Sequence, residues 1–383
     1  MLPPFNAVQA FNDLDHVLRI EELYLLQRVA QKITSILDLE TLLDQIVADV
    51  AATFGYNRLA ILLKDDRTGE LVVAAGWTGQ HVAEPPRSKV DIPLQIRGEL
   101  IGSFNFEHME TNAFSPERIR LLEALAGHVA TAIANARMFE RERVEKERMT
   151  KELEEACAIQ SGLFPVKAPE AAGFELNGVC TPCREVGGDW FDYIRLGDGR
   201  LAVVLADVSG KGMGAALLMS STRSALRLHS ARGLSPREIL FELNKFLVQD
   251  FPASKFVTLV YVVLDPAGRT MTFASAGHLP PLYVDMSGAQ FLKADSGLPL
   301  GIMECEFSEH EIAMPAGSRV FLYSDGVTEA INSAQEEYGP ERMLKHVSER
   351  PATVQSLLDD VAKFTCGYPA SDDVTVVMIG AAT

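Results

Sequence analysis

Leu201-Ala202-Val203-Val204-Leu205-Ala206-Asp207-Val208-Ser209-Gly210-Lys211-Gly212 is the stretch on which the fold of the second half of this chain turns. Six apolar residues in succession read as a buried strand. An aspartate follows at once, and a carboxylate at the end of a buried strand is costly unless something pairs with it. The glycines let backbone and water approach closely. Gly212–Arg232 then reads as a helix. The same combination recurs. Val186-Gly187-Gly188-Asp189-Trp190-Phe191-Asp192 places Asp189 where a strand begins. Val320-Phe321-Leu322-Tyr323-Ser324-Asp325-Gly326 ends a strand on Asp325, and Asp372-Asp373-Val374-Thr375-Val376-Val377 opens one on a pair of aspartates. Any one of these reads equally as a turn or helix cap. Their conjunction in one domain points to carboxylates that converge. Oxygen-only ligands of that kind suit Mg²⁺ or Mn²⁺.

Outward from these motifs the second half reads as a single α/β domain. Phe174–Val179 and Trp190–Leu196 read as strands and Pro236–Val248 as a helix. Phe256–Leu264 and Thr270–Ser275 form a hairpin around Asp265-Pro266-Ala267-Gly268. Arg319–Tyr323 and Val374–Ile379 read as strands, Glu341–Glu349 and Val354–Phe364 as helices.

The first half has a different rhythm. Leu26, Val29, Ile33 and Ile36 recur at helical spacing, as do Leu42, Leu43, Ile46, Val47 and Val50, with Asp38 as an N-cap between them. Strands follow at Arg58–Leu63, Leu71–Trp77, Val90–Ile96 and Leu100–Glu107. Ser115-Pro116 pairs a cap residue with proline at the first helical position. Ile119, Leu122, Leu125, Val129 and Ile133 then share a face. From Phe139 to Glu155 there is no Gly or Pro, and charges of both signs dominate. Glu142/Lys146 and Glu147/Lys151 are spaced to support a solvated helix at ~0.2–0.5 kcal/mol per pair. Met149, Leu153, Ala156 and Leu163 lie on a heptad-like seam, though Glu142 and Lys146 fall on its extension. A single solvated helix and a dimeric coiled coil both fit. Pro165 and Pro169 end the helix.

The chain has 383 residues, with 52 acidic against 35 basic side chains, a net charge of −17; 47 % of residues are apolar and 23 % charged. That length suits two domains, and the composition excludes low-complexity disorder. The negative balance argues against nucleic acid or an anionic membrane as a general partner. The opening Met-Leu-Pro-Pro-Phe has no basic or apolar signal-peptide region, and Leu121 to Ala136, the most apolar helical stretch, is short of the ~20 residues a span needs. Five cysteines, an odd number, fit a reducing cytoplasm.

The motifs resemble those of the SpoIIE-type (RsbU-like) serine/threonine phosphatases of the PPM, or PP2C-like, superfamily. They run in that family's order: Ala158-Ile159-Gln160 with Leu163-Phe164-Pro165, Gly187-Gly188-Asp189, Asp207-Val208-Ser209-Gly210, Ala276-Gly277-His278, Ser324-Asp325-Gly326 and Asp372-Asp373-Val374-Thr375. The strand and helix order of the first half, ending Ala132-Ile133-Ala134-Asn135-Ala136-Arg137, resembles a GAF domain. Between Trp77 and Val90, however, there is little room for the helices that usually cover a GAF ligand pocket.

The resemblance implies a two-domain α+β protein. A GAF-like antiparallel sheet with flanking helices spans 22–136 after an extension at 1–21. A coiled-coil-like signalling helix spans 137–163, and an α-β-β-α phosphatase sandwich spans 164–383. It implies two Mn²⁺ or Mg²⁺ ions per active site, activating a water for in-line attack on phosphorus. Asp189, Asp207, the Val208 carbonyl and Asp325 would hold them, with Asp372 (or Asp373, one residue on) completing the set. It further implies a cytoplasmic homodimer in partner switching and stress response. The substrate would be a phosphorylated STAS-domain anti-sigma-factor antagonist, and an activator protein or ligand would act on the GAF-like domain.

Other residues carry weaker readings. Cys180-Thr181-Pro182-Cys183 lacks the second pair a zinc site needs and reads as packing. His278 reads as a structural histidine before a proton carrier, Asp192 as a hydrogen-bonding residue before a ligand, and Arg184 as a candidate phosphate holder. Two other functions compete. A nucleotide cyclase would want acid-Glu-Phe after Gly187-Gly188, where Asp189-Trp190-Phe191 stands, and leaves Asp325-Gly326 and Asp372-Asp373 without a role. A non-catalytic binding module of phosphatase fold would be marked by a missing metal aspartate, and none is missing.

Overall fold

The computed structural model describes residues 38–79, 85–252, 254–293, 295–349 and 352–382. The chain divides into two compact units, Met1–Met149 and Thr150–Thr383. The expected helix carrying Leu26, Val29, Ile33 and Ile36, and the extension before it, lie outside the described residues.

In the first unit, helix α1 (Leu39–Phe54) starts where Asp38 accepts the Thr41 N–H at 2.8 Å and stops at Gly55, whose φ of 67° needs no Cβ. Strands β1 (Arg58–Lys64), β2 (Leu71–Thr78), β3 (Ser88–Ile96) and β4 (Glu99–His108) form an antiparallel sheet in the order β2-β1-β4-β3. Helix α2 (Pro116–Ser161) follows. Its expected apolar face is buried: Leu122, Leu125, Val129 and Ile133 pack with Leu42, Ile46 and Val50 of α1 and with Ile61, Phe104 and Phe106 of the sheet. Each such side chain contributes roughly 1.5–3 kcal/mol by leaving water.

Beyond Ala136 the helix continues on charge. Arg143 pairs with Glu140 at 2.7 Å and with Glu147 at 2.8 Å, and Arg148 pairs with Glu145 at 2.8 Å. Exposed pairs like these contribute a few tenths of a kcal/mol each, about 0.3–0.5. On the heptad-like seam Met149 is exposed, while Leu153 and Ala156 are half-buried. The helix ends at Ser161, ahead of Pro165. There the Gly162 and Leu163 N–H groups turn back to Ala158 and Gln160.

The second unit is a sandwich of two five-stranded antiparallel sheets. One has the order β11-β10-β13-β14-β5, from β5 (Phe174–Thr181), β10 (Leu282–Asp285), β11 (Gly288–Phe291), β13 (Arg319–Tyr323) and β14 (Val374–Ala381). The other has the order β12-β9-β8-β7-β6, from β6 (Trp190–Arg195), β7 (Leu201–Val208), β8 (Val257–Asp265), β9 (Thr270–Ala276) and β12 (Glu309–Ala313). Phe191, Val203, Leu205, Val260, Val262, Leu322 and Val377 fill the space between them. Helices α3 (Met213–Ser230) and α4 (Pro236–Asp250) cover the outer face of one sheet, and α6 (Gly339–Glu349) and α7 (Val354–Thr365) that of the other. A single turn, α5 (Asp325–Thr328), follows β13. This is the expected α-β-β-α architecture. Strands β10, β11 and β12 and the turn α5 went unanticipated. They are four or five residues long, too short for a periodic pattern to register.

Asp192 lies on β6 with 1 % of its surface exposed. Its carboxylate accepts from Arg227 Nε and Nη2 at 2.7 Å each, and Arg223 Nε lies 3.1 Å away. The residue is therefore an internal tie between β6 and α3, as its structural reading had it. Asp192→Asn is expected to lower the unfolding free energy by about 3 kcal/mol, because it leaves two guanidinium groups short of their counter-charge. Urea denaturation with an unchanged m-value checks this.

Candidate active site

The two sheets bring their acidic ends together. Asp189 immediately precedes β6 and Asp207 is the penultimate residue of the adjacent β7, while Asp325 opens α5 just after β13, and Asp372 and Asp373 immediately precede β14, which pairs with β13. Thr375 on β14 crosses between the sheets, its Oγ1 donating to Asp189 Oδ2 at 2.6 Å. Ser324 locks the ends of β13 and β14. Its N–H donates to the Thr375 carbonyl at 3.0 Å, its Oγ accepts from the Thr375 N–H at 3.0 Å, and the hydroxyl donates to the Asp373 carbonyl at 3.2 Å.

The neighbouring aspartates 372 and 373 face different tasks. Asp373 is 5 % exposed and spends both oxygens on backbone. Oδ1 accepts the Cys183 N–H at 2.8 Å, and Oδ2 accepts those of Gly188 at 2.8 Å and Asp189 at 3.3 Å. This close fit explains the glycines: a Cβ on Gly187 would fall 2.2 Å from Asp373 Oδ2, and one on Gly326 2.1 Å from the Asp373 carbonyl oxygen. A Cβ on Gly188 would lie 2.7 Å from the Val208 carbonyl. Asp372 instead presents an oxygen to Lys211 Nζ at 2.8 Å, and Lys211 also donates to the Ser371 carbonyl.

The electrostatics reflect crowding of like charge. Burial first, and the Asp207 carboxylate second, hold the Asp189 carboxyl well above the ordinary range, against the pull of hydrogen bonds from Thr375 and Ser324. Burial and then Asp325 push Asp207 up to about 7, opposed by hydrogen bonding with Asp189. Asp325 is raised by burial and then by Asp372. Among the described residues, Lys211 is the one basic side chain in ion-pair range of these four aspartates. Carboxylates and a backbone carbonyl are hard oxygen donors, which fits Mg²⁺ or Mn²⁺.

The tightest group of metal-type donors among the described residues is Cys183, Asp372 and Asp373, within 4.8 Å of one another. Burial, followed by the Asp373 carboxylate, raises the Cys183 thiol, away from the thiolate that a metal takes. Cys180 is pushed up to about 12, chiefly by burial. Both thiols are free. Arg184 is exposed, with Nη1 3.9 Å from where a Cβ on Gly212 would stand at the start of α3.

Four residues of this neighbourhood have no role legible in the sequence. Ser324, Thr375 and Lys211 all sit inside quoted motifs, so the signal was present, but only their contacts across the sandwich reveal what they hold. Lys255 had no signal at all; it reaches the Ser209 carbonyl at 2.9 Å and steadies the loop after Asp207.

Residues 197–381 match the family model of Stage II sporulation protein E (SpoIIE), and residues 79–133 match that of the GAF domain. Protein IcfG of Synechocystis sp. is 27 % identical over 260 residues, covering 60 % of this chain and 41 % of its own length. Phosphoserine phosphatase RsbU of Bacillus subtilis is 27 % identical over 234 residues, covering 60 % of this chain and 69 % of its own. The chain thus spans less than half of the first and somewhat over two thirds of the second. The solved SiaA-PP2C domain of Pseudomonas aeruginosa shares the fold, with a TM-score of 0.55 at 20 % identity, over 62 % of this chain and 98 % of that one.

His278 lies 7 % exposed, its Nδ1 2.8 Å from Thr258 Oγ1. Burial pushes the imidazole down to about 4 from an ordinary 6.5. As pH falls, the unfolded chain therefore takes up this proton before the folded one. The stability conferred by the neutral ring is complete above 6.5 and drains away toward 4. Unfolding free energy is expected to fall across that window, and by about 3 kcal/mol less in His278→Gln. Denaturation curves of the two proteins at pH 7 and pH 4.5 check it, and equal losses would contradict it.

Proposed function

From a chain that joins a GAF domain to a PP2C-like phosphatase domain of the SpoIIE type, we propose a divalent-cation-dependent protein phosphatase acting on phosphoserine or phosphothreonine, regulated through its first half. The observation that carries this reading is the gathering of Asp189, Asp207, Asp325 and Asp372 at one end of the sandwich. Burial and mutual repulsion raise the carboxyls of Asp189, Asp207 and Asp325 there. Such a cluster costs stability and is sustained by cations.

Asp207 is the central ligand of this proposal, with Asp189, Asp325, Asp372 and the Val208 carbonyl around it. Asp372 takes the role in preference to Asp373, whose oxygens already serve three backbone N–H groups. Mn²⁺ or Mg²⁺ in pairs would supply an activated water and offset phosphoryl charge. Thr375 orients Asp189, and Lys211 steadies Asp372 from the Asp207 loop. Arg184, exposed beside the start of α3, is this reading's candidate phosphate holder. His278, buried and neutral, keeps its structural reading.

RsbU, whose name is that of a phosphoserine phosphatase, supports a phosphoseryl protein as the substrate class. We place that substrate among STAS-domain anti-sigma-factor antagonists of a partner-switching pathway. The working divisions are 1–21 as an extension, 22–136 as sensor, 137–163 as signalling helix and 164–383 as phosphatase, in a homodimer. Among the described residues no helix is long and apolar enough to cross a membrane.

Asp207→Asn and Asp325→Asn are each expected to cut turnover of a phosphoserine protein in Mn²⁺ by about a thousandfold while leaving circular dichroism unchanged. Wild-type turnover in Asp207→Asn would refute the site. Removal of residues 1–136 is expected to change the rate several-fold without abolishing hydrolysis. Identical rates for the full and shortened chains, with and without an activator, would refute the regulatory role.

A further inference from the structure

Gln160 stands in the last turn of α2, 8 % exposed. Its side-chain amide pairs with both backbone groups of a single residue. Nε2 donates to the Gly187 carbonyl at 2.8 Å, and Oε1 accepts the Gly187 N–H at 3.2 Å. A neighbouring β-strand would give a residue the same pair of bonds. No ladder does so here, because β6 begins only at Trp190. The next two N–H groups, of Gly188 and Asp189, go to Asp373. Two side chains from distant parts of the sequence therefore hold three consecutive residues, two of them glycines with the widest conformational freedom of any residue.

The helix end that carries Gln160 is itself fixed. Leu163 packs on the core beneath α3 and α4, and Phe164 reaches both that core and the space between the sheets. Upstream, α2 runs without interruption from Pro116. An axial shift or rotation of its last turn would move the carboxamide relative to Gly187. With both partners buried, a bond lost there is not replaced by water.

We propose that Gln160 is a positioning residue for the acidic site. It holds the Gly187-Gly188 backbone in the one setting that presents Asp189 and seats Asp373, so that the last turn of α2 sets how strongly the site binds its cations. This rests on the divalent-cation reading of the site. Groups that orient metal ligands from behind change metal affinity by about 10–100-fold when removed.

The test uses the full chain as wild type, Gln160→Ala, Gln160→Glu and, as an exposed neighbour, Ser161→Ala. Two measurements are made: hydrogen exchange of the segment 183–189 without metal, and Mn²⁺ binding by titration calorimetry. Gln160→Ala is expected to exchange in 183–189 about tenfold faster and to bind Mn²⁺ about tenfold more weakly or worse. Its melting temperature should stay within a few degrees, and Ser161→Ala should match wild type. Gln160→Glu keeps the acceptor for the Gly187 N–H and loses the donor to its carbonyl, so it should show the same changes. It carries the test if the alanine variant does not fold. Wild-type exchange in that segment, or faster exchange with unchanged Mn²⁺ affinity, overturns the proposal while the cation reading stands. A wild-type protein that binds no Mn²⁺ overturns the cation reading and this proposal with it.

Discussion

Three backbone N–H groups converge on the carboxylate of Asp373, and the arrangement of the acidic site depends on that convergence. A buried carboxylate needs several donors to stay inside a protein, and backbone N–H groups without a ladder need acceptors. Each need meets the other where the start of β14 comes against the loop before β6. The close approach permits no side chain at Gly187 or Gly326. With Asp373 so engaged, its neighbour Asp372 is turned toward Lys211 and the other acids. Asp372 lies in the bend just before β14, so one of two adjacent aspartates binds the loop and the other meets Lys211.

The cluster itself works against the fold. The carboxyls of Asp189, Asp207 and Asp325 are all raised by burial first and then by a neighbouring carboxylate, that of Asp207, Asp325 and Asp372 respectively. The opposing stabilisation comes from elsewhere: the apolar layer between the sheets, the two helical layers outside them, and the hydrogen bonds of Ser324 and Thr375 that join the strand ends. Asp192, three residues along the chain from Asp189, gives a contrast. It is as deeply buried as Asp189, but two arginines of α3 meet it. The Asp192 carboxylate on β6 is satisfied internally and ties a helix down, while that of Asp189, just ahead of the strand, lies among other carboxylates.

Much of this was legible in the residues. The apolar runs ending in aspartate marked β7 and β13, the periodicity of Leu122, Leu125, Val129 and Ile133 marked the buried face of α2, and Asp38 marked the start of α1. These are local signals, carried by a few neighbouring residues. The short strands β10 to β12 left no such mark, because four or five residues give too few repeats for a period. The lone Cys-x-x-C reads along the chain as packing, yet its second member lies beside Asp372 and Asp373. That proximity arises from residues nearly two hundred positions apart, and no spacing along the chain encodes it.

The sequence by itself determined the two-part organisation, the identity of the acidic motifs and the long charged helix, because burial, helical period and chain breaks act over a turn or a strand. Only the tertiary structure decided which of Asp372 and Asp373 faces the cluster, which acid the arginines of α3 neutralise, and that Gln160 at the end of α2 grips the backbone beside Asp189. Those outcomes depend on where a hydrogen-bond donor arrives from across the sandwich, and direction in space is a property that residue order does not carry.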